Sequence, residues 1–341
     1  MHGLIDLPAS LEPTAEALTH ATSRVTDRIS SALHSDLPQV NALCERLESY
    51  RGKMLRPVLA TLSATAAAGE HALQSSPDVD TLAATVEAIH LATLVHDDVL
   101  DEADTRRGSP TISSLTTNET AVILGDYCIA AAYHLCSELH DREVALAVAR
   151  CCMDTCAGEI VQLSERGNLA LSEETYFRII TGKTAELIGA SCRLGALLGS
   201  RDQSAADALH RFGIALGQAF QIQDDVLDLI GDEVSVGKTV GRDIAKGKLT
   251  LPMIHHLHAL DTSSRAAAEH LLRAAAGDSD EAHDAAHAFA TGLARTGSVE
   301  HARDTAIRLS REAVDALNVL PDTPARSMLT LMAEAAVTRD R

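Results

Sequence analysis

Leu94-Val95-His96-Asp97-Asp98-Val99-Leu100-Asp101 is the stretch around which the chain is organised. Its last five residues return letter for letter as Asp224-Asp225-Val226-Leu227-Asp228. Both copies follow apolar residues at helical spacing, which predicts two helices that end close to these clusters. On a helix Asp97 and Asp101 lie one turn apart and face the same way. Like charges at that spacing repel, and the C-terminal end of the helix dipole is itself negative. Such clusters ask for cations. A pair of solvated acidic helix ends is the competing reading, and repetition inside apolar helices argues against it.

Outward from these clusters, the 341 residues are 46% hydrophobic, enough for a large core, and the formal net charge is −19. That surface argues against nucleic acid as a partner and against an electrostatic hold on anionic membranes. It also makes any local basic cluster informative. Most of the seven cysteines lie in Ala-rich apolar stretches and are expected in the core; Cys151, Cys152 and Cys156 lack the paired spacing and His partners of a zinc site. Their odd number and the lack of a signal peptide point to a cytoplasmic protein. No transmembrane segment is expected.

The order of elements is read as follows. Residues 1–14 form a loose lead-in, and a helix runs from about Ala15 to Ser35. Tyr50-Arg51-Gly52-Lys53-Met54-Leu55-Arg56-Pro57 is a charged turn opening an Ala-rich helix. Gly69 to Asp80 reads as a surface loop, and a helix from about Thr81 leads into the first cluster. No proline lies between Pro110 and Pro252, which predicts long uninterrupted helices. Ser204-Ala205-Ala206-Asp207 has capping-box spacing and is expected to start the helix that carries the second cluster to near Gly231. No alternating β-branched run supports a sheet. The expected fold is all-α, one domain over residues 1–341.

Mg²⁺ takes oxygen ligands in octahedral geometry, and one or two carboxylates usually share it with a substrate phosphate. The basic residues supply the anion-binding half. Lys53 and Arg56 stand at a helix start, Arg106 and Arg107 follow the first cluster, Lys183-Thr184 sits mid-chain, and Lys238 and Lys248 follow the second cluster. Guanidinium forks suit phosphate oxygens, and lysine acts as a point charge. A helical wheel puts Val86, His90, Thr93, Asp97 and Asp101 on one stripe, so His90 is read as a phosphate contact. His96 falls off that stripe and is assigned to packing or capping.

These motifs, in this order from about Tyr50 to the C-terminus, resemble the trans-isoprenyl diphosphate synthases (polyprenyl synthetases), most of all their medium- and long-chain members. The resemblance implies a helical bundle around a central cavity, Mg²⁺ as cofactor, and a homodimer. Gly52-Lys53-x-x-Arg56-Pro57, with His90 and Arg107, looks like the site for the head group of isopentenyl diphosphate. Asp97, Asp98 and Asp101 resemble the first aspartate-rich motif, with Asp97 and Asp101 as direct metal ligands and Arg106 gripping the allylic diphosphate. Asp224, Asp225 and Asp228 resemble the second motif, which holds a further Mg²⁺, so that all six aspartates are implied as the metal site. Lys183, Thr184 and Gln221 resemble residues lining the reaction centre, and Lys238 and Lys248 the lysines that complete the diphosphate clamp.

The implied reaction is head-to-tail prenyl transfer, needing no protein nucleophile. Ala92 and Thr93, just before the first motif, are similar to the residues that leave room for a growing chain, which implies products of roughly six to ten isoprene units. A class I terpene cyclase is a rival reading, disfavoured because its second metal motif mixes Asn, Ser or Thr and Glu, and Lys53 and Arg56 would have no purpose there. A silent regulatory subunit is the other, disfavoured because no carboxylate or basic residue of the pattern is missing.

Overall fold

The computed structural model describes residues 8–68, 76–230, 241–277 and 279–338. Its helices are α1 (Glu12–Ala32), α2 (Pro38–Arg46), α3 (Leu55–Ala68), α4 (Pro77–Leu100), α5 (Ile112–Leu115), α6 (Asn118–Ser137), α7 (Arg142–Ser164) and α8 (Glu173–Ile180). After a π-helical turn at Thr181–Ala185 come α9 (Glu186–Ser200), α10 (Gln203–Ile230), α11 (Arg242–Ala245), α12 (Leu251–Ala259), α13 (Thr262–Ala274), α14 (Asp280–Leu293), α15 (Ser298–Ala316) and α16 (Pro324–Thr338). The all-α expectation holds. Among the described residues the exception is one two-residue hairpin, β1 (Thr105–Arg106) and β2 (Ser109–Pro110), which the sequence did not foreshadow.

The chain packs as two compact units. The first comprises Met1–Cys152, Leu187–Gly213 and Val314–Met332. Its centre is α4, against which α1, α3 and α6 pack. Pro77 opens α4, and Asp78 and Asp80 occupy its first turn, where exposed N–H groups favour acids. Beyond that turn α4 is apolar nearly all round, so it is buried nearly all round: Leu82, Ala83, Ala84, Leu91, Ala92 and Val95 have no exposure. The second unit comprises Met153–Glu186, Ile214–Ala313 and Ala333–Arg341. Tyr176, Ile222, Val226, Ile244, Leu251 and Phe289 belong to its core.

Several boundaries differ from those expected. The lead-in is packed from Leu11 on, because Pro13 fits the first turn of α1 and Leu11, Thr14 and Leu18 are buried. Residues 77–80 of the expected loop are helical, and Asp80 pairs with Arg24 at 2.7 Å. Helix α10 starts one residue before Ser204 because Asp202 is the cap, accepting Ser204 N–H at 2.9 Å. Helix α6 is long and apolar enough to cross a membrane, against expectation, but Ala121, Leu124, Cys128, Ala132 and Leu135 are buried in the first unit. All seven cysteines are free thiols; Cys156 is exposed rather than packed in the core.

Candidate active site

At the first cluster, Asp101 caps α4 and donates its N–H to Asp97 O at 2.8 Å. Asp97 and Asp101 are half-buried, whereas Asp98 is 2% exposed. Arg106 grips Asp98 with two nitrogens, Nε at 2.9 Å and Nη2 at 2.8 Å from Oδ1. Tyr50 donates its hydroxyl to Asp98 Oδ2 at 2.7 Å and accepts Ile112 N–H at 3.0 Å. The Arg106 guanidinium also lies 5.7 Å from the centre of the Tyr50 ring. Burial, then the bond to Asp98, pushes the Tyr50 hydroxyl pKa up, so Tyr50 remains a donor.

The hairpin shows how neighbouring arginines serve different ends. Arg107 (φ 51°) and Gly108 (φ 77°) are both left-handed, the pattern of a type I′ two-residue turn. Arg106 pairs across it with Ser109. Arg107 swings to the other side and donates Nη1 to Tyr50 O at 3.0 Å. Gly52 leaves the space that the Arg107 guanidinium fills, since a Cβ on it would stand 2.4 Å from Arg107 Nη2 and push that group aside. Lys53 is exposed just before α3, and Arg56 is half-buried in its first turn. Burial, then the charges of Arg56, Arg106 and Arg107, holds His90 well below the usual imidazole pKa, so it is neutral. His96 packs as expected, its Nε2 3.0 Å from Val122 O and its ring where a Cβ on Gly125 would fall.

At the second cluster the middle carboxylate is again the buried one. Asp225 is 5% exposed and accepts from Tyr176 OH at 2.7 Å and from Gln221 Nε2 at 2.8 Å. Thr184 Oγ1 donates to Gln221 Oε1 at 3.0 Å, extending the chain of bonds to the π-helical turn. Lys183, beside it, pairs with Glu159 at 2.5 Å and donates to Gln162 at 3.0 Å. Asp243 N–H donates to Asp228 Oδ2 at 3.1 Å. Burial first, and Asp243 second, raises the Asp225 pKa well above its ordinary value and that of Asp228 to about 7. Lys183, Thr184, Gln221, Asp225, Asp243 and Lys248 line one cavity of about 100 Å³ in this unit.

Carboxylates crowded this way are stabilised by a cation. Among the described residues no three His, Cys, Asp or Glu side chains are arranged to hold a metal ion by themselves. Carboxylate pairs one turn apart fit instead a Mg²⁺ shared with phosphate oxygens. Residues 38–289 match the family described as Polyprenyl synthetase. The chain belongs to that family.

This polyprenyl synthetase is 34% identical over 332 residues to the octaprenyl diphosphate synthase of Escherichia coli K12, a match covering 97% of this chain and 100% of that protein. Its fold is similar to a decaprenyl diphosphate synthase from Rhodobacter capsulatus, with TM-score 0.88, 34% identity and coverage of 97% and 99% of the two chains. A polyprenyl synthase from Caulobacter crescentus CB15, complexed with calcium and isoprenyl diphosphate, gives TM-score 0.87, 31% identity and coverage of 96% and 98%. Names among the relatives also include heptaprenyl, geranylgeranyl and short-chain isoprenyl diphosphate synthases.

In the first unit of this polyprenyl synthetase, His90, Arg106 and Arg107 fall close to the turn that carries Lys53. In the second, Lys183, Thr184, Gln221, Asp225 and Lys248 share a cavity. Lys238 lies outside the described residues. Ala92 is fully buried, and the Thr93 hydroxyl bonds His90 O at 2.8 Å. Tyr50, Glu87, Glu159, Tyr176 and Asp243 were not singled out from sequence. Glu87 had a signal, being the one charged residue from Thr81 to Val95. The two tyrosines had a weaker one in being two of only four in the chain.

Proposed function

We propose that this protein catalyses Mg²⁺-dependent head-to-tail condensation of isopentenyl diphosphate with an allylic diphosphate, giving an all-trans polyprenyl diphosphate of medium or long chain. The observation that carries this reading is the twice-built aspartate motif. In each copy the middle carboxylate is bound by a tyrosine hydroxyl, at 2.7 Å from Tyr50 and from Tyr176, while the outer two stay one turn apart on the helix. Asp97 and Asp101, and Asp224 and Asp228, are the proposed Mg²⁺ ligands. Bound there, Mg²⁺ would neutralise charge on the diphosphate.

Arg106, held by Asp98, and Lys248 bind diphosphate oxygens; Lys53, Arg56, His90 and Arg107 hold the isopentenyl head group. When the allylic C–O bond breaks, its electron pair leaves on the diphosphate, and these side chains stabilise that charge. The isopentenyl double bond then attacks the allylic cation, and the proton it sheds goes to the released diphosphate. Thr184 and Gln221 orient dipoles toward the cation, and buried Ala92 with Thr93 leaves room for the growing chain.

The protein is proposed to act in the cytoplasm as a homodimer. The free cysteines support the first point. For the second, Leu146, Met153 and Ile160 recur at sevens along α7, exposed by 57%, 64% and 65%. Incubating the protein with Mg²⁺, isopentenyl diphosphate and an allylic diphosphate, then sizing the products, tests the reaction. Absence of any chain elongation sinks it, and light scattering reads the oligomeric mass.

A further inference from the structure

Glu87 is out of place for a residue with only a packing role. It lies in the apolar middle of α4, 2% exposed, one turn before His90. Its Oε2 has no hydrogen-bond partner in the protein. Nor has Nε of Arg56 or Nε of Arg51. Helix α3, which carries Arg56, packs against α4, and Arg107 is seated on Gly52 at the mouth of the same turn. Burial raises the Glu87 pKa, and of the positive groups that oppose this Arg56 is foremost, followed by Arg51 and Arg107. Glu87 therefore belongs to a charged cluster in which Nε of Arg56 and Nε of Arg51 are still without partners in the protein.

A buried carboxylate among several arginines lets them stand together and fixes where their remaining N–H groups point. We propose that Glu87 is a positioning residue that holds Arg56 and Arg107 in place to receive the diphosphate of isopentenyl diphosphate. The proposal rests on the proposed function, in which this basic cluster takes that head group. It goes further in assigning specificity to an acid that does not itself touch the anion.

The sign of one measurement decides it. If Glu87 merely added negative charge near an anion site, Glu87→Gln would improve binding and lower KM for isopentenyl diphosphate. If Glu87 positions the arginines, Glu87→Gln raises that KM about tenfold. KM for the allylic substrate and kcat should then stay within about twofold. The Arg56→Gln variant and the double variant Arg56→Gln/Glu87→Gln complete a cycle: the double should bind isopentenyl diphosphate no worse than Arg56→Gln alone. That pair carries the test if Glu87→Gln alone does not fold, because the double variant removes both buried charges. An unchanged or lowered KM, or additive losses in the cycle, overturns the proposal. A wild-type protein that does not use isopentenyl diphosphate at all overturns the assignment of the site beneath it, a distinct result visible before any variant is made.

Discussion

The Tyr176 hydroxyl donates to Asp225 Oδ2 at 2.7 Å. Tyr50 makes the same bond at the same length to Asp98, from an unrelated part of the chain. In both copies of the pentapeptide the second aspartate is thus occupied within the protein. Asp98 and Asp225 are therefore proposed to orient the motif, and the first and last aspartates to meet the ligand.

Removing either hydroxyl should therefore disturb the motif without removing a metal ligand. Tyr50→Phe and Tyr176→Phe are each expected to lose about 1–3 kcal/mol of stability, the cost of depriving a buried carboxylate of a donor. Both should still bind Mg²⁺ with inorganic pyrophosphate. Thermal unfolding and calorimetric titration check this, and unchanged stability in both variants contradicts it.

Asp97→Ala and Asp224→Ala should behave in the opposite way. Each is expected to keep its melting temperature and lose turnover on the order of 10³-fold, about 4 kcal/mol of barrier. Near-normal rates in both at saturating Mg²⁺ would remove the metal assignment.

Lys53 and Arg56 should separate although both are proposed to serve the same head group. Lys53 is exposed, so Lys53→Ala should raise KM for isopentenyl diphosphate more than for the allylic substrate and leave stability unchanged. Arg56→Ala should raise the same constant and also cost about 3 kcal/mol of stability, since Glu87 is left buried without its main counter-charge. Equal effects on the two substrates would mean that the sites are assigned the wrong way round.

Ala92 has no exposure, so a larger side chain there must intrude on its surroundings. Ala92→Phe is expected to cost about 1–3 kcal/mol by overpacking. It should also shorten the product from roughly six to ten isoprene units to fewer, without abolishing the first condensation. Mass spectrometry of the products decides. A wild-type enzyme that stops at three or four units, or a variant with unchanged product length, refutes the placement.

Away from the site, His255 stacks on His301 with ring centres 4.1 Å apart, and His256 meets Phe289 edge-on at 5.4 Å. Burial foremost holds both His255 and His256 below the ordinary value of 6.5. The unfolded chain then takes up protons that the fold refuses, so this contribution to stability is present above pH 6.5 and lost as pH falls below it. His255→Gln and His256→Gln should each lose less melting temperature than wild type between pH 7.5 and 5.5. A variant with the wild-type acid response would show that these rings do not carry it.

What could be read from sequence, and what could not, divides along physical lines. The aspartate clusters were legible because solvated acid has no cause to recur letter for letter inside two apolar helices, and α4 and α10 do end at them. Lys53 and Arg56 were legible because basic residues are scarce in a chain of net charge −19. Tyr50 and Tyr176 were not, because a phenol 48 or 49 residues from its carboxylate leaves no periodic trace. The π-helical turn at Thr181–Ala185 breaks no local rule of composition, so nothing in Gly182-Lys183-Thr184 foreshadowed it. The hairpin was too short for any alternation to register.

That hairpin makes distance along the chain a functional quantity in its own right. Arg106 reaches Asp98, and Arg107 reaches Tyr50 O, only because a two-residue turn fixes which side each emerges on. A single residue inserted between Glu102 and Arg106 would preserve every letter of both motifs. It would also shift the hairpin relative to the end of α4 and put the Arg106–Asp98 pair at risk. In this segment the spacing carries information that the letters alone do not, and a variant with an altered gap is expected to lose activity even where its residues match.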